Sequence, residues 1–309
     1  MKFNGNSVRT PRPTNIRAIE KALSSIDPDV IHVQMPYSPF FGAKVIALAS
    51  KKTKIVGTWH TFPAGRLQRN SHYLLYLMIK NTLKRVSVTI GVSAPTAQFA
   101  DSIYRTKSIV IPNPVEITRF SEKTLNNKRT NKHIVYLGRF DERKGPKLLI
   151  EALSELKYGG YDMSTLSITM AGKGPDLEEC EKLALEYGLT IDFTGFVDEL
   201  VKPELLASAD ISVFPSTGGE AFGISVVEAM ASGASIVLAG DNPGYRSILG
   251  EKSELLFDPR NTHEFATRLK YFLDLSEAET TELKAWLKES AKQYNVVEVC
   301  KLLLKVYQA

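Results

Sequence analysis

Short apolar runs of strand length alternate with helical periods along most of the chain, which predicts an α/β protein of two Rossmann-like, doubly wound domains. Two further observations agree. The chain has 309 residues, 43% of them hydrophobic, enough to bury two cores. The alternation is interrupted once, by Pro112-Asn113-Pro114 and then a charged, polar stretch over 121–132, where a linker is expected.

Taken in order, Ile16, Ile19, Leu23 and Ile26 recur at helical spacing up to Asp27-Pro28, and a buried strand is expected over 30–33. A helix over 43–49 and a strand over 54–61 follow, the strand ending in Trp59-His60-Thr61. Tyr73, Leu74, Leu77, Met78 and Ile79 mark a helix over 72–85, with further strands over 86–92 and 108–111. The second run opens with a strand over 133–137, the loop 138–145 and a helix to 156. It continues with strand 166–170, the turn Gly172-Lys173-Gly174-Pro175, a helix to 187, strand 191–194, a helix around Leu205 and strand 211–214. A helix over 223–231, strands over 235–238 and 255–257, and helices over 263–273, 279–294 and 296–307 complete the reading.

Composition narrows the function. Cys180 and Cys300 have no metal-ligand spacing and read as free thiols of a reducing compartment. No apolar run approaches the ~18 residues of a membrane span, and the first residues lack a signal core. The net charge of +5 is unevenly spread: residues 1–128 hold 19 Lys+Arg and 6 Asp+Glu, the remainder 20 and 28. Between Lys44 and Lys107 there are 11 basic residues and one acid, Asp101. A basic half suits anionic partners, either nucleic acid or an anionic membrane surface. Its aromatic residues fall at helical and strand-core positions rather than on a stacking platform, so nucleic acid is not expected.

The chemistry concentrates where the strand 211–214 stops at Gly218-Gly219 and a helix begins. The first N–H groups of a helix have no intrahelical partner and its dipole is positive there, so Phe222, Gly223 and Ile224 suit phosphate. Glu220 and Glu228 flank them, and a carboxylate is a good acceptor for sugar hydroxyls. One nucleotide sugar would thus be held by its hexose at Glu220 and its ribose at Glu228. Arg139 and Lys144, five apart after a strand, could neutralise a departing diphosphate. His60 closes a buried strand and could face a cleft, although a lone strand-end histidine is more often structural. Asp27 and Asp29 flank a helix-stopping proline at the wrong end of a strand for ligands. Gly172-Lys173-Gly174-Pro175 is a weak phosphate loop that matches neither nucleotide pattern.

Gly219-Glu220-Ala221-Phe222-Gly223 with Glu228-Ala229-Met230 resembles the E-x7-E element of retaining glycosyltransferases of family four, which have the two-domain GT-B fold. Gly138-Arg139 with Lys144-Gly145 is similar to that family's diphosphate-holding Arg and Lys, and Gly195-Phe196-Val197-Asp198 to its base-lining loop. Trp59-His60-Thr61 resembles the strand end of its acceptor domain, whose histidine contributes at the scissile sugar. Among members the chain looks most like bacterial phosphatidylinositol mannosyltransferases. Asn4-Gly5-Asn6-Ser7-Val8-Arg9 resembles their inositol-phosphate segment with one residue inserted.

The resemblance implies a hexosyltransferase with His60, Arg139, Lys144 and Glu220 in catalysis. Donor contacts would come from Gly138, Val197, Phe222, Gly223, Ile224 and Glu228, and acceptor contacts from Asn4, Ser7, Arg9 and Thr61. The donor would be a nucleotide sugar, GDP-mannose by that likeness, and the acceptor a lipid such as phosphatidylinositol. No cofactor or metal would be needed, and the protein would sit peripherally on the cytoplasmic face of the cell membrane, bound to anionic phospholipid. A UDP-sugar enzyme with a soluble or other lipid acceptor, or a nucleotide-sugar-binding fragment without turnover, are the alternatives. Members open with a glycine-rich βαβ unit that this chain does not show. The expected domains are therefore an incomplete first one over 1–128, with the strand 30–33 an unpaired edge, a donor domain over 129–294, and a helix over 295–309 packing back on the first.

Overall fold

The computed structural model describes residues 15–63, 65–121, 131–233 and 235–309, together with the backbone of two short strands nearer the start. Those two, β1 (Lys2–Phe3) and β2 (Asn6–Ser7), pair antiparallel. The chain divides into two compact units. The first unit then runs α1 (Ile16–Ile26), β3 (Val30–Gln34), α2 (Gly42–Leu48), β4 (Lys54–Trp59), α3 (Arg66–Leu83), β5 (Val88–Gly91), α4 (Ala94–Tyr104) and β6 (Ser108–Val110). Its strands form a parallel sheet in the order β3-β4-β5-β6. Among the described residues β3 is an edge strand.

The second unit runs α5 (Ile117–Ser121), β7 (Lys132–Leu137), α6 (Pro146–Tyr158), β8 (Leu166–Ala171), α7 (Leu177–Glu186), β9 (Asp192–Gly195), α8 (Lys202–Ala207) and β10 (Ile211–Phe214). It ends with α9 (Ile224–Ser232), β11 (Ile236–Gly240), α10 (Pro243–Leu249), β12 (Leu256–Phe257), α11 (Thr262–Leu273) and α12 (Glu277–Ala291). The sheet is wholly parallel, in the order β12-β11-β10-β7-β8-β9. The chain walks outward from β7 through β9, then returns to the other side of β7 with β10. Neighbouring connections diverge between β7 and β10, the place where doubly wound sheets bind ligands beyond the carboxyl ends of the strands.

Strand alternation sorts the first core. Ile55 and Trp59 face one side, where Ile46 of α2, Ile79 and Leu83 of α3 and Phe99 and Ile103 of α4 pack. Val56 faces the other, with Ile90 and Ile111, and there the last helix, α13 (Val296–Gln308), covers the sheet with Val299. Lys54 Nζ donates to the Val306 carbonyl at 2.6 Å, and His32 Nδ1 lies 2.6 Å from Tyr307 Oη, so the tail of α13 is pinned to β3 and β4.

Several boundaries differ from the sequence reading. The first unit takes the chain up to Asn113, Gly219–Phe222 and the chain from Val297, whereas the linker was expected over 121–132 and a boundary after 128. The cause is α5, whose Ile117 and Phe120 are buried and which lies against α8 and α9 of the second unit. Val115 N–H donates to the Tyr294 carbonyl at 2.8 Å and Val296 N–H to the Val115 carbonyl at 3.0 Å, which ties the chain's two crossings together. α4 and α10 were missed because apolar period was sought before caps. Ser93 accepts from Thr96 N–H with Pro95 in the first turn, and Asn242 accepts from Tyr245 N–H ahead of Pro243. α3 begins at Arg66, not at 72, because its first turns are good helix formers that face water.

Candidate functional site

In the second unit the loops that leave β7 and β10 are bonded to each other beyond the carboxyl ends of those strands. Gly138 N–H donates to the Ala171 carbonyl at 3.0 Å, and Tyr136 Oη donates to the Arg139 carbonyl at 2.6 Å, which fixes the first two loop residues. The Arg139 guanidinium Nε lies 3.6 Å from Oδ2 of buried Asp141 and remains 40% exposed. The other Asp141 oxygen accepts from the Lys144 N–H at 3.0 Å, capping the single 3-10 turn Glu142–Lys144. This loop is bonded to its neighbour: Thr217 N–H donates to the Arg143 carbonyl at 2.9 Å, and Arg143 Nη1 to the Gly218 carbonyl at 3.3 Å. The two loops form one rigid rim.

α9 begins beside that rim. Gly223 holds φ +156°, and a Cβ there would meet the Tyr245 ring at 2.8 Å and Ile248 at 3.1 Å, so any other residue is both strained and crowded. No side chain caps this helix and its first turn carries no acid. The N–H groups of the first turn have no intrahelical partner, and Ile224 is exposed while Phe222 is buried.

Glu228, two turns along α9, is 6% exposed. Lys202 of α8 donates to both of its oxygens at 3.0 and 3.2 Å, and also lies 2.8 Å from Glu199. Burial pushes the Glu228 carboxyl up, the Lys202 ammonium pulls it down, and Glu199 and Arg119 add smaller opposed effects. An ammonium takes one lone pair from each oxygen, which leaves the carboxylate able to accept hydroxyls. Lys202 was not singled out from the sequence; only its place in the loop following Val197 could have drawn notice.

Residues Gly219–Phe222 group with the first unit. There the Ala221 carbonyl accepts from Ser93 Oγ at 2.5 Å and from Thr96 Oγ1 at 3.1 Å. These two hydroxyls fix the backbone next to half-buried Glu220, and the sequence reading passed over both. Their signal was the cap Ser93-Ala94-Pro95-Thr96.

His60 follows β4, its Nε2 2.5 Å from Gln34 Oε1 at the end of β3. Burial, and to a smaller degree the nearby His32, hold its imidazole below the usual range, so it is a neutral hydrogen-bonding group at neutral pH. Thr61 is buried with its hydroxyl bonded to Tyr37 Oη, which points it into the core rather than at an acceptor. Asn4 and Arg9 lie outside the described residues, as does the side chain of Ser7.

Residues 118–294 match the family model of the glycosyl transferases group 1, and residues 2–119 that of glycosyltransferase family 4. The phosphatidyl-myo-inositol mannosyltransferase of Mycolicibacterium smegmatis is 30% identical over 253 residues, 81% of this chain and 63% of that protein. The chain therefore spans less than two thirds of that relative's length. A glycosyltransferase from Rickettsia africae superposes with a TM-score of 0.80 at 19% identity, over 98% of this chain and 83% of that one. Anabaena Alr3699/HepE in complex with UDP superposes at 0.78 with 18% identity, over 94% and 82%. At these identities the structures show the fold, which is that of the GT-B glycosyltransferases.

Proposed function

Because the chain belongs to the glycosyl transferases of group 1, we propose that it takes part in retaining transfer of a hexose from a nucleotide sugar, mannose from GDP-mannose, to a lipid acceptor of the phosphatidylinositol type. The observation that carries the reading is the rim at β7 and β10, where Arg139 and Lys144 share a braced loop beside the uncapped start of α9. Fixed cations and free N–H groups match a diphosphate that gains charge as it leaves. Glu220 holds the hexose, Glu228 the ribose, Gly138 and Val197 the remaining donor edges, and His60 assists at the reacting sugar. The mannose and inositol-lipid part rests on the mycobacterial relative. A UDP-sugar donor is the second reading, which the UDP held by the Anabaena protein favours.

Isothermal titration of the chain with a nucleoside diphosphate sugar, with and without chelator, tests this. Arg139, Lys144 and the α9 N–H groups supply the positive charge, so equal binding in both is the expected result. Affinity that vanishes in chelator would assign the diphosphate to a metal instead.

The acceptor half of the reading concerns α3. Its core face carries His72, Ile79 and Leu83, yet Leu67, Leu74 and Met78 form a second apolar stripe that is exposed. Arg66, Arg69, Lys80 and Lys84 along the same helix and its cap are exposed as well, so apolar and cationic groups are both available to an anionic surface. Arg85 does not belong to the set, since its guanidinium donates to the carbonyls of Ile46, Ala47 and Ser50 and closes the end of α2. No helix among the described residues is long and apolar enough to cross a membrane. Co-sedimentation should show binding to anionic vesicles that salt weakens, each of the four cations contributing about 1 kcal/mol and Arg85 nothing. Equal binding to neutral vesicles would point to a soluble acceptor.

A further inference from the structure

We propose that a notch at the amino ends of β8 and β9, beside the start of β7, binds a neutral saccharide. The notch follows from register. β7 and β8 pair from Lys132 and Leu166 onward, whereas β9 joins β8 only where Thr169 meets Asp192. No strand therefore borders Leu166, Ser167 and Ile168 on that side. A cavity of about 560 Å³ lies there, within the ~300–1,000 Å³ of small-molecule sites. Arg139 lies beyond the other end of β7, about 20 Å from His133 along an extended chain. The notch is thus separate from the rim assigned to the diphosphate.

The lining sets the chemistry of the ligand. Residues opposite each other in a parallel pair share a face of the sheet, and so do residues two apart on one strand. His133 is opposite Ser167 and Thr169 opposite Asp192, so these four side chains stand on one face, and all four line the cavity. The buried His133 ring orients Thr169. Its Nδ1 lies 3.0 Å from the Ser208 carbonyl and donates to it, so in the neutral ring Nε2 accepts from the Thr169 hydroxyl at 2.9 Å. The lone pairs of Thr169 Oγ1 then accept from a ligand. The side chains of Ser167, Asp192 and the neighbouring Thr190 have no hydrogen bond or ion pair among the described residues. Buried Ile168 and Leu189 supply an apolar wall. Neither lysine nor arginine is among the described residues that line the cavity, so nothing there offsets a phosphate, and one exposed carboxylate holds a cation weakly. A neutral saccharide meets each condition. Its hydroxyls donate to Asp192 and Thr169 and exchange bonds with Ser167 and Thr190, while its C–H face covers Ile168 and Leu189.

Saturation-transfer NMR of the full chain with methyl α-mannoside, methyl α-glucoside and maltose, for wild type, Asp192→Asn, Ser167→Leu and Glu220→Gln, tests this. At least one of the three sugars should bind wild type and Glu220→Gln alike. Asp192→Asn should weaken it by about tenfold or more, the loss expected for a hydrogen bond to a charged group. Ser167→Leu, whose side chain fills the notch, should abolish it. Asp192 is exposed, so its variant should melt with wild type and decides the matter even where Ser167→Leu does not fold. Unchanged binding in either folded notch variant overturns the proposal. Binding lost in Glu220→Gln also overturns it and places the sugar at the hexose end of the donor site. Three sugars without signal on wild type overturn it as well, and leave the donor reading to its own titration with a nucleoside diphosphate sugar.

Discussion

Glu220→Gln should reduce sugar transfer by about 100- to 1,000-fold while nucleoside diphosphate affinity stays within about twofold, the loss typical of removing one group that stabilises the transition state. An ionised carboxylate only accepts, so in the proposed role it would take two sugar hydroxyls in charge-assisted bonds; the amide replaces one acceptor oxygen with an NH2 donor and removes the charge. On the proposed reading the phosphates bind elsewhere, at the loop of Arg139 and Lys144 and the start of α9, so affinity should survive. Backbone position is held by Ser93 and Thr96 through the Ala221 carbonyl, so the substitution leaves the loop in place. Steady-state transfer and calorimetry with the same preparation measure both effects. Transfer near the wild-type rate would remove Glu220 from the reaction, and lost nucleotide affinity would move it to the phosphates.

Lys202→Met should destabilise the fold by about 3–5 kcal/mol at neutral pH, because it strands the Glu228 carboxylate without its partner in a buried site. The pH dependence follows from the direction of the Glu228 shift. Burial already raises this carboxyl above its ordinary value, and without the ammonium it rises further. The folded variant then binds a proton that the unfolded chain does not, so its stability is greatest below the unfolded pKa and falls as pH rises through the folded one. Urea melts at about pH 5 and about pH 8 should show the larger deficit at the higher pH. A deficit independent of pH would mean that Lys202 acts by packing alone. Nucleotide affinity should fall with it if Glu228 holds the ribose as proposed, since the carboxylate loses its orientation; Glu228→Gln should weaken the nucleotide with a smaller stability loss.

The alternation of strands and helices was legible because it depends on local periods and breakers. β10, the glycine pair after it and the apolar α9 are adjacent in sequence, so the glycine-led helix start could be read directly, as could the two glutamates eight residues apart. The short helices α4, α5 and α10 were not, since their apolar spacing is weak and their evidence lies in a capping hydroxyl or amide and a proline. The charge partition located the basic half that holds α3, but Leu67 lay outside the helix expected over 72–85, and Leu74 and Met78 were grouped with Ile79 because period alone does not say which of two apolar faces is covered.

What the sequence determined by itself is the α/β class, the family likeness and the residue types at the strand ends, because each rests on neighbours within a few positions of one another. Partners distant in the chain were decided by tertiary structure: Lys202 against Glu228, Ser93 and Thr96 against Ala221, Arg85 on the end of α2, Thr61 turned to Tyr37, and Lys173 beside Phe196. These are hydrogen bonds, ion pairs and ring contacts across strand order. In a doubly wound sheet strand order departs from chain order, so no spacing in the sequence encodes which polar groups meet.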